Sequence, residues 1–493
     1  MRPVAPSSKE ELLTQTKSTI LLVLTNDTYI RNYATSGAFE ELVKAFDVDI
    51  VIDAGVSLRD DLKSLGHVTG EYEITEDQVQ LHNLHFQLLM WRFRKKSQTF
   101  FYRWLRNTNW SLIVRDGPIS SRVFSFLRWM VAAFRNPGGF RIPLLANAVV
   151  FPVVSKLVRR QIKPNAQLRG LVGAKPYAAV LFPSQAFEPA IVDLTNIGKE
   201  LELPTLCLID NWDNLTSKTV FWARPDHLGV WGEQAVRQAQ EVHGFSSGQV
   251  HPIGTPRFES YFTKRSEDEY KGQYPFPYVL FVGSAMPFDE IGTLRSIERW
   301  LQISDDTSDD VMVVYRPHPW QQKRSIQSDF IQSEFSRVVL DSQISEAIDH
   351  GIQLNSRSSA FQPSLSYYPD LLQGASCVVG PLTTMLLESA LCLRPTVGLS
   401  YFDGHHANTS KRYFTHFEGM ERVPGFRFCE DPNQLTWEIS EALKSGTAPV
   451  ENSRKETDYF VTSSPGTYSQ RLLKLVLGIS RKQETEHSMS PKL

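Results

Sequence analysis

The segment VVYRPHPW carries two basic side chains on a stiff backbone. Arg316 and His318 alternate with Pro317 and Pro319, directly after an apolar run that is typical of a buried strand. A guanidinium presents a planar pair of donors to phosphate oxygens, and an imidazole can donate whether it is neutral or charged. The prolines restrict the backbone freedom that binding would otherwise remove. The segment therefore predicts a phosphate contact at the end of a strand, with His318 also a candidate for catalysis.

A second segment, GPLTTMLLESAL, places hydroxyl groups at the start of a helix. Pro381, Thr383 and Thr384 follow the apolar run SCVVG. The first backbone N–H groups of a helix have no intrahelical partner, and together with the helix dipole they attract phosphate. Glu388 lies one turn further along, where its carboxylate could accept hydrogen bonds from ribose hydroxyls. Ser284 follows a third apolar run, YVLFVG.

We predict that these three loops form one site for a phosphate or diphosphate, because ligands of parallel sheets bind beyond the carboxyl ends of the strands. Two alternatives stay open at this point. The threonines only cap their helix, or Arg316 and His318 form a surface ion pair with acidic residues downstream.

The loop IDNWDNLTSK follows another apolar run, PTLCLI, and carries Asp210 and Asp213. A reaction in which a hydroxyl attacks the substrate needs a carboxylate or an imidazole that deprotonates this hydroxyl. Either aspartate is a candidate for this general base or for binding the acceptor. The alternative is that Asp210 and Asn211 only form an Asx turn. The segment TNDTYIRNY places Asp27 and Arg31 in a similar position after the first strand.

The composition excludes several classes of protein. Of the 493 residues 41% are hydrophobic, which is enough for large cores. The formal net charge of -2 lacks the basic excess that is typical of nucleic-acid-binding proteins. The four cysteines form no CxxC pair and no zinc spacing, which predicts reduced core residues in a cytoplasmic protein, and the polar N-terminal segment has no signal-peptide core.

We expect no resident metal ion and no cofactor. The segment YFDGHH offers Asp403, His405 and His406 but no further ligand, so contact with a donor or an acceptor is favoured over metal binding.

Short apolar strands alternate with helices in two long stretches, which predicts an α/β protein with two Rossmann-like domains facing a cleft. We predict an N-terminal acceptor domain over residues 1–265 and a C-terminal nucleotide-donor domain over residues 276–480. A polar, proline-containing segment between them indicates a linker, and residues 481–493 are predicted to be a disordered tail. The binding site is expected in the cleft.

Residues 76–166 interrupt this alternation and are predicted to form a helical insertion in the first domain. FQLLMWRFRKKSQTFFYRWLR mixes aromatic and basic residues, and IPLLANAVVFPVVSKLVRR is apolar with a basic end. The charges of the first segment and the short length and proline of the second argue against a transmembrane span. The insertion is either an ordinary helical subdomain or a surface that contacts a membrane, since arginines beside tryptophans and phenylalanines suit such an interface.

Four segments together resemble the two-Rossmann-domain (GT-B) glycosyltransferases: PDHLGVWGEQ, GFSSGQVHPIGTPRFESY, YRPHP and YPDLLQGASCVVGPLTTMLLESALCLRPTVGLSY. Within that fold the chain is most similar to bacterial surface-polysaccharide enzymes related to CDP-glycerol glycerophosphotransferases, over the region from Pro204 to Tyr401. The resemblance implies that His318-Pro319, Thr383 and Thr384 bind the donor phosphates. The family often has Asp-Tyr-Ser-Ser where this chain has GPLTT.

The resemblance implies a metal-independent glycosyltransferase that builds a cell-surface polysaccharide from a nucleotide-activated sugar or a related glycerophosphate donor. The acceptor would be a saccharide or a lipid-linked saccharide. The protein would be cytoplasmic, and peripheral at the inner face of the plasma membrane if the insertion contacts lipid. Two alternatives stay open: a nucleotide-sugar epimerase or hydrolase on the same fold, and a non-catalytic nucleotide-binding or scaffold protein. No nucleic-acid partner is expected.

Overall fold

Two parallel β-sheets frame the protein. The computed structural model describes these residues: 17–108, 118–136, 138–262, 273–286, 288–303, 310–318, 326–350, 366–403, 411–446 and 450–489. Within them, the first sheet has seven strands in the order β3-β2-β1-β4-β5-β6-β7, and all neighbouring strands are parallel. The strands are β1 Thr19–Leu24, β2 Asp47–Asp53, β3 His67–Tyr72, β4 Val180–Ser184, β5 Thr205–Ile209, β6 His227–Val230 and β7 Val250–Pro252.

The second sheet has six strands in the described residues, in the order β10-β9-β8-β11-β12-β13, and these are also parallel. They are β8 Tyr278–Val282, β9 Met312–Arg316, β10 Val338–Leu340, β11 Cys377–Pro381, β12 Thr396–Leu399 and β13 Phe426–Cys429. The central runs are apolar almost throughout, as in YVLFV of β8, because helices cover both faces of the sheet.

Both sheets reverse their strand order at the corresponding place. The reversal lies between β1 and β4 in the first sheet and between β8 and β11 in the second. At such a switch point the connections leave in opposite directions, and a crevice opens beyond the carboxyl ends of the two strands. The predicted fold class, two Rossmann-like units with a helical insertion in the first, is confirmed.

Helices connect the strands and cover the sheets. In chain order they are α1 Asp27–Tyr29, α2 Glu40–Ala45, α3 Glu76–Phe93, α4 Gln98–Asn107, α5 Ile119–Arg135, α6 Arg141–Leu145, α7 Phe151–Gln161, α8 Ala166–Val172, α9 Pro189–Leu201, α10 Asn214–Ser217, α11 Glu233–His243, α12 Glu259–Phe262, α13 Glu290–Ile303, α14 Ile326–Gln332, α15 Ser342–Asp349, α16 Tyr367–Gly374, α17 Thr384–Leu391, α18 Leu435–Ser445, α19 Val450–Asp458 and α20 Tyr468–Met489. A π-helical turn, Ile30–Ala34, continues α1.

The insertion consists of α3 to α8, between β3 and β4. Its helix α4 also contacts the second unit: the Thr99 hydroxyl lies 3.1 Å from that of Thr415, and the ring of Tyr102 stacks on Tyr413 with centroids 5.4 Å apart. The insertion is therefore packed against both units. In the part of the chain that the structure describes, no helix has the length and apolarity needed to span a membrane.

The last helix, α20, returns to the first unit. Tyr468, Leu472 and Val476 are buried in one core with Ile20 and Leu22 of β1. Their spacing of four residues places them on one face of the helix, which explains why this face can cover the sheet. We predicted that residues up to 480 belong to the second domain, whereas this helix packs on the first. It also continues through residues 481–489, which we predicted to be disordered, and residues 490–493 lie outside the described residues.

The two units share a hydrophobic core. Trp212 and Phe258 of the first unit belong to the same buried cluster as Leu387 and Phe417 of the second. The side-chain amide of Gln234 donates to two carbonyl oxygens of the second unit, each at 3.0 Å. The two units are therefore held together by buried apolar side chains and by hydrogen bonds between buried polar groups.

Candidate active site

Asp210 lies directly after β5, at the carboxyl end of the first sheet, and is 4% exposed. Its Oδ1 accepts a hydrogen bond from Asn32 at 2.9 Å, and its Oδ2 accepts a weaker one from Gln185 at 3.5 Å. Burial raises the pKa of Asp210, although the hydrogen bond from Asn32 and the charge of Arg257 act in the opposite direction. A carboxylate with a raised pKa is a better base, which suits proton abstraction.

The loop after β4 reaches the same edge of the sheet. The Ser184 hydroxyl donates to Glu188 at 2.5 Å, and Glu188 also accepts a hydrogen bond from the phenol of Tyr29. Ala186, between them, is fully buried and has a φ of 68°, in the left-handed region that favours glycine. Such backbone strain persists where the surroundings enforce one conformation, and it is common at functional sites.

Asp213 has a different environment from Asp210. Burial raises its pKa, but Lys218, His416 and the Ser217 hydroxyl outweigh this effect, so the net shift is downward. Its Oδ2 accepts from Ser217 at 2.6 Å and lies 3.8 Å from the Lys218 ammonium. Since two carboxyls whose pKa values are pushed apart suit different roles, Asp210 is the better candidate base and Asp213 a permanent charge.

His416, from the second unit, lies beside this loop. Its ring is 5.0 Å from that of Trp212, and its Nδ1 is buried without a hydrogen-bond partner among the described residues. Burial lowers the pKa of His416 to about 4, so the ring is neutral at physiological pH. The sequence contained no signal for this residue, because it lies outside the strand-end loops.

An ion pair joins the two units across the cleft. Arg257 donates to Glu388 of α17 at 2.8 Å, and the Tyr261 phenol donates to the second Glu388 oxygen at 2.5 Å. Burial lowers the pKa of Arg257, but Glu388, Tyr261 and Asp210 raise it further, so the net shift is upward. Both carboxylate oxygens of Glu388 thus have protein donors in this structure. The role of Glu388 in holding ribose stays a prediction.

Arg31 is a second cation at this place. Burial lowers its pKa, Arg257 also lowers it, and Tyr368 and Glu388 of the second unit act in the opposite direction. Arg31, after the end of β1, therefore lies near the second unit, and its contact with an acceptor stays a prediction. Asp27 instead accepts hydrogen bonds from the backbone of Ser57 at 2.8 Å and so holds the neighbouring loop.

Arg316 is buried and directed at protein partners. Its guanidinium pairs with Asp341 at 2.5 Å and donates to Gln343 at 2.8 Å and to the Tyr368 phenol at 3.0 Å. Arg316 is 2% exposed, so it does not form the surface ion pair that was the alternative. Its partner is nevertheless an acidic residue downstream, as that alternative expected. The direct phosphate contact predicted for Arg316 stays a prediction. In this structure the guanidinium nitrogens Nη1 and Nη2 donate to protein side chains.

The loops after β8 and β9 approach each other closely. A side chain at Gly283 would place its Cβ 2.8 Å from the backbone nitrogen of His318 and 3.0 Å from the Cα of Pro317, so only glycine fits. Ser284 is buried, and its backbone N–H donates to Glu290 at 3.0 Å. His318 is half-buried beside this loop, whereas Pro319 lies outside the described residues.

Helix α17 begins at the second switch point, directly after β11. Pro381 is the last residue of β11, and Thr383 is the N-cap residue of the helix, with extended backbone angles. Thr383 makes no side-chain capping hydrogen bond within the described residues, so it does not act as an ordinary cap. Thr383 and Thr384 are half-buried at the start of this helix.

No metal-binding cluster of three or more suitable side chains occurs in the described parts of the chain. Asp403 accepts a hydrogen bond from the backbone of Asp289 at 2.8 Å, while His405 and His406 lie outside the described residues.

No family model matches the sequence, and no curated protein matches it. Among solved structures, the UDP-GlcNAc 2-epimerase from Methanocaldococcus jannaschii is 9% identical with a TM-score of 0.50, over 93% of this chain and 99% of that one. A putative UDP-N-acetylglucosamine 2-epimerase from Listeria monocytogenes is 9% identical with a TM-score of 0.49, over 94% and 96%. The wall teichoic acid polymerase TagF is 9% identical with a TM-score of 0.45, over 94% and 90%. With its two parallel sheets and this likeness, the chain has the two-Rossmann-domain GT-B fold that its sequence predicts.

Proposed function

We propose that the protein is a glycosyltransferase that moves a sugar, or a related glycerophosphate, from a nucleotide-activated donor to a hydroxyl of an acceptor. The product would be a cell-surface polysaccharide, and the acceptor a saccharide or a lipid-linked saccharide. A nucleotide-sugar donor is in keeping with the similar fold of the UDP-GlcNAc 2-epimerase from Methanocaldococcus jannaschii.

One observation carries the proposal. Arg257 contacts Glu388 on α17 at 2.8 Å and is also electrostatically coupled to Asp210 at the end of β5. Arg257 therefore lies near the candidate base of the first unit and near helix α17 of the second, which begins four residues before Glu388. A transferase needs this arrangement, because the attacking hydroxyl and the departing phosphate are at opposite ends of the bond that is exchanged.

In this proposal Asp210 takes the proton of the acceptor hydroxyl. The leaving phosphate is stabilised by the N-terminus of α17, by the hydroxyls of Thr383 and Thr384, and by His318. Arg31 and Arg257 supply the positive charge that we assigned to Arg316 from the sequence. Arg316 orients Tyr368, to which it donates at 3.0 Å, and thus acts from behind the site.

A pair of variants tests the two halves of the site. Asp210→Asn should lower the transfer rate by about 100-fold or more, the size of a lost general base, and leave nucleotide affinity unchanged. The double variant Thr383→Val and Thr384→Val should weaken nucleotide binding by about tenfold, because it removes two hydrogen bonds to phosphate. Thr69→Val, on the edge strand β3, is the matched control and should change neither.

The measurements are calorimetric titration with UDP, GDP, CMP and CDP, followed by turnover with the corresponding donors and acceptors. Full turnover by Asp210→Asn would remove it from the mechanism. Conversion of a donor to its epimer without any acceptor would favour an epimerase, and no binding of any nucleotide would favour a scaffold protein.

We also propose that the insertion lies on an anionic membrane surface. Large apolar side chains of α5 and α7 are exposed, including Ile119 at 78%, Phe124 at 70% and Val153 at 61%. Residues 117–187 contain no Asp or Glu, so the charges of this stretch are all basic. Apolar side chains surrounded by arginines and lysines suit the boundary between acyl chains and anionic headgroups.

Flotation of the full chain with vesicles tests this contact. Binding to phosphatidylglycerol vesicles is expected, with loss at high salt and no binding to phosphatidylcholine vesicles. The double variant Phe124→Ser and Val153→Ser should lower binding, while the buried core is untouched. Equal flotation with both kinds of vesicle would contradict an electrostatic contact.

A further inference from the structure

A second cavity lies outside the cleft, between the insertion and the first Rossmann unit. It has a volume of about 500 Å³ and is lined by α7, α9 and the indole of Trp222. Small-molecule sites commonly have volumes of about 300–1,000 Å³, so this cavity is large enough for one ligand. None of the residues proposed above for nucleotide or acceptor binding lines it.

Basic side chains dominate its wall. Lys156, Arg159 and Arg160 line the cavity, and Asp193 is the acidic residue that faces them. Burial raises the pKa of Asp193 to about 7, although a backbone N–H of Asn165 acts against this, so the carboxyl takes up a proton far more readily than an ordinary aspartate. The cavity is therefore positively charged and favours an anion.

Trp222 forms part of the same wall. Its Nε1 is buried and has no hydrogen-bond partner in the described residues. Arg159 stacks over the indole, with Cζ 4.7 Å from the ring centroid, which holds the guanidinium at the wall. Ser155, on the same face of α7, lies 2.9 Å from the Nε2 of buried His85.

The cavity wall adjoins the exposed apolar face of α7. Val153 and Leu157 are 61% and 52% exposed. Lys156 follows Val153 by three residues, and Arg160 follows Leu157 by three, so each basic side chain neighbours an apolar one on the helix surface. A ligand with an anionic head and an apolar tail would match both surfaces at once.

We propose that this cavity binds the phosphate headgroup of a lipid whose acyl chain lies along Val153 and Leu157. The inference rests on the proposed membrane contact and adds to it the chemical class of the lipid and the place where its headgroup is held. Arg159 and Lys156 pair with the phosphate oxygens, and the Trp222 indole holds the Arg159 guanidinium at the cavity wall. The lipid then fixes the orientation of the insertion, and with it the cleft, on the membrane.

Calorimetric titration of the full chain with dihexanoyl phosphatidate, below the concentration at which it forms micelles, tests the proposal. Arg159→Gln is expected to weaken binding by about tenfold, the size of one lost charge-assisted hydrogen bond. Arg128→Gln is the matched control, because it removes one exposed arginine of α5 that does not line the cavity, and it should have little effect.

Glycerol 3-phosphate, titrated in parallel, carries a phosphate without a tail. It should bind much more weakly than the lipid, and equal affinity would replace the lipid by a free phosphorylated metabolite. Equal weakening by Arg159→Gln and Arg128→Gln would show diffuse attraction and overturn the site. Nucleotide binding should stay intact in Arg159→Gln. The double variant of Thr383 and Thr384 should weaken nucleotide binding but keep lipid binding. Failure of the nucleotide site and failure of the lipid site can therefore be told apart.

Discussion

Replacement of Glu388 by Gln probes the ion pair that joins the two units. The substitution keeps the shape of the side chain but removes its charge and sets an amide against Arg257. Glu388 is 3% exposed and Arg257 is 28% exposed, so the ion pair is neither fully exposed nor fully buried. Exposed pairs contribute about 0–1 kcal/mol, and breaking a buried pair costs about 3–5 kcal/mol. We therefore expect a loss of about 2 kcal/mol.

The thermal midpoint gives the readout. At about 2.1 cal/mol/K per residue, unfolding of all 493 residues as one unit has an entropy of about 1 kcal/mol/K, and the expected shift is about 2 °C downward. Differential scanning fluorimetry resolves a shift of this size. Glu200→Gln is the control, since Glu200 pairs with Arg169 at 2.5 Å on the open surface and its loss should leave the midpoint unchanged.

A double-mutant cycle makes the test specific. In an Arg257→Met background the pair is already absent, so Glu388→Gln should cost much less than in the unmodified protein. Identical shifts in both backgrounds, or a shift no larger than that of Glu200→Gln, would refute the reasoning that the pair is desolvated and couples the units.

Three further predictions concern single positions. Gly283→Ala should destabilise the protein by about 1–3 kcal/mol and weaken nucleotide binding, because its Cβ meets backbone atoms of the neighbouring loop, whereas Gly248→Ala, which meets nothing within 4 Å, should do neither. Ala186→Gly should stabilise by up to about 1 kcal/mol in urea unfolding, since its φ of 68° strains any residue with a Cβ, and a loss of stability would contradict that. Burial raises the pKa of Asp193 to about 7, above its value in the unfolded chain. The free energy of unfolding therefore falls as the pH rises through about 7, because the buried carboxyl must then carry a charge. Asp193→Asn should therefore raise the thermal midpoint at pH 8 and leave it unchanged near pH 4; a gain of equal size at both pH values would exclude the titration.

The strand ends were predictable because apolar runs mark buried parallel strands wherever they occur. Thr383 and Asp210 lie at such ends: Thr383 follows β11 at the second switch point, and Asp210 follows β5, one strand away from the first. The partners of these residues were not predictable, because they come from distant segments. Asp341 is 25 residues after Arg316, and nothing in either local sequence indicates that they meet.

The exposed and buried faces of the insertion were also not predictable from the sequence. Its aromatic and basic composition was evident, but composition does not tell which side chains face outward. Only the folded structure shows that Val153 lies on the exposed face of α7, whereas Val158, five residues later, is buried. The cavity beside α7 also needs α9, which lies beyond the insertion in the chain.

The return of α20 has a consequence for biosynthesis. The first Rossmann unit is discontinuous in the sequence, because Tyr468, Leu472 and Val476 complete a core that begins at Ile20. A ribosome makes β1 near the start of the chain and α20 near its end, so the unit that is synthesised first is the last to be finished. Until then part of an apolar face of its sheet is uncovered, and a fragment that stops after residue 262 would leave this part exposed.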